Sequence, residues 1–441
     1  MRALPTKVHR RDPQPARATR IAAAAGVSIV IGYAVSHGEL VLCAAVGGVV
    51  AAGAVAANNL ERFRALALAI LPWLVLTINL TPRLTLTLTA AFAAALLLFP
   101  VPTDVGELPW VAVFMFGVIV LAQVVESVTS DQRIEAAKYA LFPAMVIVAA
   151  SAERRARLIE MRGVLLASGL AAMAFDELDN LLHLGKIGAY YGAGEELGLA
   201  AESPHEIALI GVMVCVACLL TVRDVRLRFL GAAVAAIPAL ATGVRSALVA
   251  LVVSLVVLVI KAGFRPSAVV GVVVIGAAVI FSGAGTIIAD RFANSESSGE
   301  FSSFADAGSG RGAIWTIAIH EWETSGPAGM AFGSGLRSVD YANIQHLRKD
   351  LVAQSDFVAV LVELGLFGVV AWVLMWLALI RSRINWLVLL PLASYGLTNG
   401  AIEYVGAVVF GIALSAACAD RTSMPTRATE HSQRSDTEVA G

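Results

Sequence analysis

The sequence is a succession of long apolar runs separated by short charged segments, and this pattern leaves few folds open to it. A helix needs about 20 apolar residues to cross the hydrocarbon core of a bilayer, and fewer when flanking side chains snorkel. The pattern therefore predicts an all-α, polytopic transmembrane helical bundle of about 12–14 spans. The candidate spans are 21–36, 40–57, 65–80, 84–101, 109–126, 138–151, 162–176, 206–222, 229–243, 246–261, 267–287, 357–380, 384–398 and 401–419.

Composition supports this class and excludes others. Hydrophobic residues make up 58% of the 441 positions, and adding the 38 glycines brings the apolar share to about 67%. An average soluble protein has roughly 45–50%. The net charge is only −1, and ionisable residues gather at the termini and between apolar runs, so no basic field exists to attract nucleic acid. A water-soluble globular fold is excluded.

Basic residues predict the orientation, because cytoplasmic loops carry an excess of Lys and Arg. The first twenty residues contain six of them, and no small-residue cleavage site follows the first apolar run, so we expect a cytoplasmic N-terminus and a retained first span. Alternation from there places five further basic loops inside. These are Arg62/Arg64, the cluster 153–157, Arg223 to Arg228, Lys261/Arg265 and Arg381/Arg383.

The predicted organisation has five parts. Residues 1–20 form a cytoplasmic basic N-terminus, 21–287 transmembrane helices, 288–356 a large outer-face loop, 357–419 the C-terminal transmembrane helices and 420–441 a disordered cytoplasmic tail. A second outer loop covers 177–205. A connection as long as 288–356 is commonly functional. No convincing internal repeat is present, which argues against an inverted-repeat transporter.

The middle of the large loop predicts a helix lying at the membrane interface. Between Arg311 and Ser325, apolar residues fall largely along one helical stripe that includes Trp315 and Trp322, opposite His320, Glu321 and Glu323. Tryptophan is enriched at membrane–water interfaces, so we expect both indoles to act as interfacial anchors.

Cysteine chemistry is not favoured. Cys43, Cys215, Cys218 and Cys418 all lie within or at the edge of apolar runs, where neither a disulfide framework nor a metal site is expected. The Cys215-x-x-Cys218 spacing could be a redox motif. Buried thiols more often act as small hydrophobic side chains.

Arginines predicted on the outer side need an explanation, since the basic bias lies inside. Arg245 occupies a tight turn between two apolar runs, after Gly243. Its guanidinium could make a bidentate contact with the phosphate oxygens of a lipid-linked substrate. Alternatively, the side chain could extend to the lipid headgroups. Arg311 follows Gly308-Ser309-Gly310 and would open the interfacial helix, whose N-terminus suits an anion. Arg291 and Arg337 are weaker members of this set.

Three residues are candidates for acid–base chemistry. Asp356 and Glu363 are seven positions apart and share one helix face, with Glu363 about 10 Å deeper at 1.5 Å per residue. A carboxylate at that depth is expensive, so it is either functional or hydrogen-bonded to a neighbouring helix. His346 in the large loop is a candidate base, although a lone loop histidine is more often inert.

The C-terminal half resembles the O-antigen ligase and polymerase superfamily. The stretch 241–248, Ala-Thr-Gly-Val-Arg-Ser-Ala-Leu, is similar to the family's T-G-S-R-x-x-L turn, and 310–315, Gly-Arg-Gly-Ala-Ile-Trp, is similar to the opening of its large outer loop. A glycine run at 329–335 follows. The segment 354–368 is similar to the family's H-[NS]-x-[FY]-L…E-x-G-x-x-G block. The resemblance covers roughly 205–380.

The resemblance implies a metal-independent membrane glycosyltransferase that requires no cofactor. It would take a glycan from a polyprenyl-diphosphate-linked oligosaccharide on the outer face of a bacterial inner membrane and pass it to a glycan or glycolipid acceptor. Arg245 and Arg311 would hold the diphosphate, with Arg291, Arg337 and Gln354 lining the same site, and Glu363 would orient it. Expected partners are these substrates and membrane lipids, with other polysaccharide-assembly proteins as further candidates.

One residue departs from the family pattern. Gln354 stands where the ligase pattern has its histidine, and an amide cannot serve as a general base. His346 or Asp356 could substitute, or positioning alone could suffice. The Ser-Asp-Phe sequence at 355–357 slightly favours a polymerase over a ligase. A transporter or lipid flippase, and an inactive scaffold of a polysaccharide assembly, are the competing functions.

Overall fold

The structure is a computed structural model that describes residues 60–76, 83–126, 130–182, 204–242, 244–261, 263, 307–347 and 353–419. Within these ranges the chain forms helices and no strands. The helices are α1 Leu60–Ala69, α2 Leu71–Leu76, α3 Arg83–Leu98, α4 Glu107–Glu126, α5 Ser130–Ala150, α6 Ala152–Leu182, α7 Pro204–Thr221, α8 Val225–Ala241, α9 Arg245–Lys261, α10 Ala307–Thr324, α11 Gly326–Phe332, α12 Ser338–Leu347, α13 Asp356–Arg381, α14 Trp386–Thr398 and α15 Val405–Ala417.

The predicted spans that fall in the described ranges coincide with helices. The run 65–80 is divided at Ile70 between α1 and α2, while α5 and α6 extend well beyond 138–151 and 162–176. The predicted spans 21–36, 40–57 and 267–287, and the predicted termini 1–20 and 420–441, lie outside the described residues, as does most of the loop 177–205.

Three helical segments of the described chain are long and apolar enough to cross a membrane by length and composition. They are Ala152–Leu178, Pro204–Thr221 and Asp356–Arg381. Six shorter apolar helices of 10–17 residues accompany them. A polytopic bundle fits this arrangement, and the count of about fourteen spans stays a prediction.

Large apolar side chains project from the outer surfaces of several helices. On α4 they recur at Val111, Phe114, Val118 and Leu121, which is helical spacing along one face. Similar exposed apolar side chains run along α9 and along α13 from Leu366 to Ile380. Soluble proteins rarely expose apolar patches of this extent, so these faces are suited to contact lipid.

The centre of the bundle is α15, in which every residue is buried. It packs against the helices α1, α2, α3, α5, α6, α7 and α14. Small residues allow close approach elsewhere: a Cβ on Gly211 of α7 would lie 2.6 Å from the carbonyl oxygen of Ala235 on α8. Together these contacts form one continuous hydrophobic core.

Polar residues gather at two places in the bundle, one of which we call the basic end. Arg64 donates to the carbonyl oxygens of Leu96 (2.6 Å) and Phe99, and Arg154 donates to that of Pro100 at 2.6 Å. Asp104 accepts hydrogen bonds from Ser151 and from the backbone N–H of Glu153, at the start of α6. Although burial alone raises the pKa of Asp104, these hydrogen bonds hold it below its usual value.

Candidate functional site

The second polar region, which we call the site end, brings together segments far apart in the sequence. Gln132 donates to the carbonyl oxygen of Leu336 at 3.3 Å, and Lys138 donates to Glu403 at 2.6 Å. The ring nitrogen Nδ1 of His205 lies 2.9 Å from the hydroxyl of Tyr395. These segments are the ones that alternation of the predicted spans assigns to the same side of the membrane.

Arg311 is held by two neutral side chains. Its Nε donates to Oε1 of Gln354 at 2.7 Å, and its Nη2 donates to Oδ1 of Asn399 at 2.7 Å. Arg311 lies in the second turn of α10, which begins at Ala307 rather than at Arg311 as the glycine pattern suggested. The first backbone N–H groups of the helix, which have no intrahelical acceptor, therefore belong to residues 307–310, one turn before Arg311.

The Asn399 amide is oriented by its neighbours. Because Arg311 can only donate, the atom facing it is Oδ1, and Nδ2 then faces His205 Nδ1 (3.2 Å), Tyr395 (3.1 Å) and Tyr404 (2.9 Å). Nδ1 of His205 therefore lies within hydrogen-bond distance of two groups, the Asn399 amide at 3.2 Å and the Tyr395 hydroxyl at 2.9 Å. The imidazole also stacks on Tyr404, with ring centroids 5.9 Å apart.

Glu363 is buried in a section of α13 that a backbone break has opened. Gly365 interrupts the helix with φ 71° and ψ −171°, a conformation essentially confined to glycine. The carbonyl oxygens freed near this break accept hydrogen bonds from the 333–335 segment, including Ser334 N–H to Val362 at 2.8 Å. The hydroxyl of Tyr139 donates to Glu363 Oε2 at 3.0 Å. Glu363 is therefore hydrogen-bonded to a neighbouring helix, as one of the two interpretations of this residue predicted.

A charged cluster adjoins Glu363. Lys138 on α5 bridges two carboxylates, Glu135 at 2.8 Å and Glu403 at 2.6 Å. Just before α12, the Nε of Arg337 lies 2.7 Å from Asp340, and the guanidinium lies 6.0 Å from the ring centre of Tyr341. Lys138 is the sequence neighbour of Tyr139, whose hydroxyl donates to Glu363 at 3.0 Å. Buried charges persist where they are paired, as Lys138 and Arg337 are here.

Two of the predicted acid–base residues occupy different environments. Asp356 is buried, and its Oδ1 accepts the backbone N–H of Ile402 at 2.9 Å, which ties the loop before α15 to the start of α13. His346 lies on the surface, with Nε2 3.2 Å from Oε1 of Glu321, and its side chain is 50% exposed. His346 therefore pairs with Glu321, farther along α10, rather than with Arg311 or its hydrogen-bond partners.

The other predicted residues divide between the site and the undescribed chain. Arg337 and Gln354 are both in the site end, and both adopt positive φ (63° and 50°), which is uncommon for residues other than glycine. Arg245 is the first residue of α9, and its side chain lies outside the described part, as do Gly243 and Arg291.

The tryptophans of α10 make contacts inside the protein. Trp315 Nε1 donates to the carbonyl oxygen of Ala353 at 2.8 Å, and Trp322 Nε1 donates to that of Met330 at 3.1 Å. Both pack on a small core around Ala318. They connect α10 to the start of α13 and to α11, and their role at a membrane interface stays a prediction.

Neither metal nor thiol chemistry is indicated in the described residues. Among them, His, Cys, Asp and Glu side chains form no group of three that could hold a metal ion. Cys215, Cys218 and Cys418 are buried and unpaired by disulfides. This agrees with the interpretation of the Cys215-x-x-Cys218 pair as hydrophobic packing.

Comparison with known families identifies part of the chain. The O-antigen ligase family matches residues 230–373, about a third of the sequence, from α8 to the middle of α13. The match supports a relationship of these residues to the O-antigen ligase-like superfamily. This segment, which we call the O-antigen ligase segment, contains Arg245, Arg311, Gln354 and Glu363, and the match supports a glycan-processing membrane protein of the ligase or polymerase type. No curated protein sequence matches the chain.

Sequence reasoning missed the residues of the site that lie outside the O-antigen ligase segment, which are Glu135, Lys138, Tyr139, His205, Tyr395, Asn399, Glu403 and Tyr404. For two of them a signal was present. Lys138 is a cation on the predicted outer side, and Glu403 is an acid within a predicted span, the same features that singled out Arg311 and Glu363. The remaining residues are ordinary polar side chains that only their spatial neighbours distinguish.

Proposed function

We propose that the protein is an outer-face glycosyltransferase that uses a polyprenyl-diphosphate-linked oligosaccharide as donor. The glycan passes to a hydroxyl of a second glycan or glycolipid, and polyprenyl diphosphate leaves. Polymerisation, in which the acceptor is another copy of the lipid-linked glycan, is the preferred form of the reaction. The polymerase preference rests on the resemblance at 355–357.

The observation that carries the proposal is the orientation of Arg311. Gln354 and Asn399 fix its guanidinium through neutral oxygens at 2.7 Å, and Arg311 itself lies in the second turn of α10. An oriented guanidinium and a helix N-terminus both favour a phosphate anion. Such groups stabilise the charge that develops on a diphosphate leaving group during glycosyl transfer. Arg245, at the start of α9, is proposed as the second arginine of this site.

Proteoliposomes with a defined polyprenyl-diphosphate oligosaccharide test the proposal. Mass spectrometry would score free polyprenyl diphosphate and glycan length. We expect release with a ladder of repeats for a polymerase, and release only with a separate acceptor for a ligase. Absence of release under both conditions, with folded protein, would overturn the proposal and favour a transporter or an inactive scaffold.

Arginine variants test the site. Arg311→Ala and Arg245→Ala should each abolish product while the protein still inserts, because the leaving diphosphate loses its counter-charge. Arg157→Ala is the matched control, since Arg157 is 47% exposed at the basic end. Wild-type activity in both site variants would contradict the assignment of these arginines.

A further inference from the structure

Glycosyl transfer to a hydroxyl is assisted by a group that removes the hydroxyl proton. The family's histidine is replaced here by Gln354, whose Oε1 accepts a hydrogen bond from Arg311 and which has no basic atom. The proton must go elsewhere if the proposed function is correct, and the following inference rests on that function.

Glu403 is the most accessible carboxylate of the charged cluster. Its side chain is 24% exposed, against 10% for Glu135 and 9% for Asp340, and Glu363 is buried. Oε2 of Glu403 is held by Lys138 at 2.6 Å. Within the described part of the chain, Oε1 of Glu403 makes no hydrogen bond. The carboxylate is therefore held at one oxygen, and its other oxygen can accept a proton.

The loop that carries Glu403 also carries a partner of Arg311. Asn399 and Glu403 are four residues apart between α14 and α15, and Asp356 anchors this loop through the backbone N–H of Ile402. Tyr404, the residue after Glu403, has its hydroxyl 2.9 Å from Nδ2 of Asn399, whose Oδ1 accepts from Arg311 at 2.7 Å. A cation suited to the donor diphosphate and an accessible carboxylate therefore border the same region.

The other candidate bases are less well placed. Asp356 is buried and committed to the Ile402 N–H, and Glu363 is buried and accepts from Tyr139. His346 pairs with Glu321 on the surface. His205 has Nδ1 within hydrogen-bond distance of both Asn399 and Tyr395, so that nitrogen is engaged within the protein.

We infer that Glu403 is the catalytic base of the transfer, with Lys138 as the residue that positions it. The acceptor hydroxyl oxygen attacks the anomeric carbon of the donor sugar, and a new carbon–oxygen bond forms as the bond to the diphosphate breaks. The diphosphate leaves with the bonding electron pair. The hydroxyl proton moves to the Glu403 carboxylate, which later returns it to water.

Glu403→Gln tests the inference in proteoliposomes, because the amide keeps the shape and loses the basic oxygen. We expect turnover to fall by about 100-fold or more, the low end for a general base, with the donor KM changed by less than about threefold. Glu403→Ala should regain part of its turnover when formate is added, which a purely structural role would not produce. Glu160→Gln, an exposed acid at the basic end, is the matched control.

The outcomes separate the inference from the proposed function. Wild-type turnover in Glu403→Gln overturns the inference and leaves the function standing, whereas an inactive wild-type protein overturns both. If the Gln variant does not fold, Glu403→Asp decides, because the shorter side chain keeps the charge but loses reach. Reduced turnover with unchanged donor affinity then supports the inference, and wild-type turnover overturns it.

Discussion

Substitution of Gln354 can place a negative charge next to Arg311 while the shape of the site stays nearly the same. Gln354→Glu keeps the oxygen that accepts from Arg311 Nε at 2.7 Å and adds a negative charge beside it. We expect the donor KM to rise by about tenfold or more, because a carboxylate competes with the diphosphate and tenfold corresponds to only about 1.4 kcal/mol. Steady-state kinetics at several donor concentrations would measure this. Gln354→Met, which adds no charge, should raise KM less, and equal values for the two variants would contradict a phosphate-binding role for Arg311.

The residues found by sequence and those missed differ in one physical respect. Arg311 and Glu363 attract notice because a charge in or beside an apolar run costs free energy wherever it lies. Lys138 and Glu403 carry the same signal but are 265 positions apart, and nothing in one sequence links them before the fold does. Asn399 carries no such signal, since its importance comes entirely from the orientation that Arg311 imposes on its amide.

The segment 333–335 is the element that joins the predicted outer loop to α13, and Gly333 makes the contact possible. Its backbone has φ 91° and ψ 169°, and a Cβ there would overlap the carbonyl group of Glu363. Gly333→Ala should therefore destabilise the protein by at least about 1–3 kcal/mol, and lower turnover through displacement of Glu363. Gly117→Ala on α4 meets nothing within 4 Å and is the matched control. Thermal unfolding in detergent would compare them, and equal melting temperatures would show that the segment does not support α13.

The boundaries of α13 followed closely from its apolar run, because lipid and core both demand continuous apolar helices, whereas α5 and α6 extend beyond their runs. The start of α13 at Asp356 and its end at Arg381 were each predicted within a residue. The break at Gly365 was not predicted from the sequence, because a glycine in an apolar helix equally permits close helix packing. Only the 333–335 segment, which docks on the freed carbonyl oxygens, explains the break.

At the scale of the whole molecule, the site is larger than the O-antigen ligase segment. Residues 230–373 supply Arg311, Gln354 and Glu363, but Asn399 and Lys138 come from the chain on either side. The central helix α15 packs against helices on both sides of that segment, namely α1, α2, α3, α5, α6 and α7 before it and α14 after it. The family segment by itself would therefore lack Asn399, which accepts from its Arg311, and Tyr139, which donates to its Glu363.

The separation of the basic end from the site end makes the predicted sidedness testable. In a variant whose four cysteines are replaced by alanine, Glu323→Cys would place a thiol on the exposed face of α10, and Glu160→Cys would place one near the basic cluster of α6. Because basic segments stay cytoplasmic, a membrane-impermeant maleimide should label the first variant in intact spheroplasts and the second only after lysis. Gel-shift analysis of the labelled protein measures both. The reverse pattern would place Arg311 on the cytoplasmic side, where a donor displayed on the outer leaflet could not reach it. Labelling of both thiols before lysis would show that the two ends do not lie on opposite sides of the membrane.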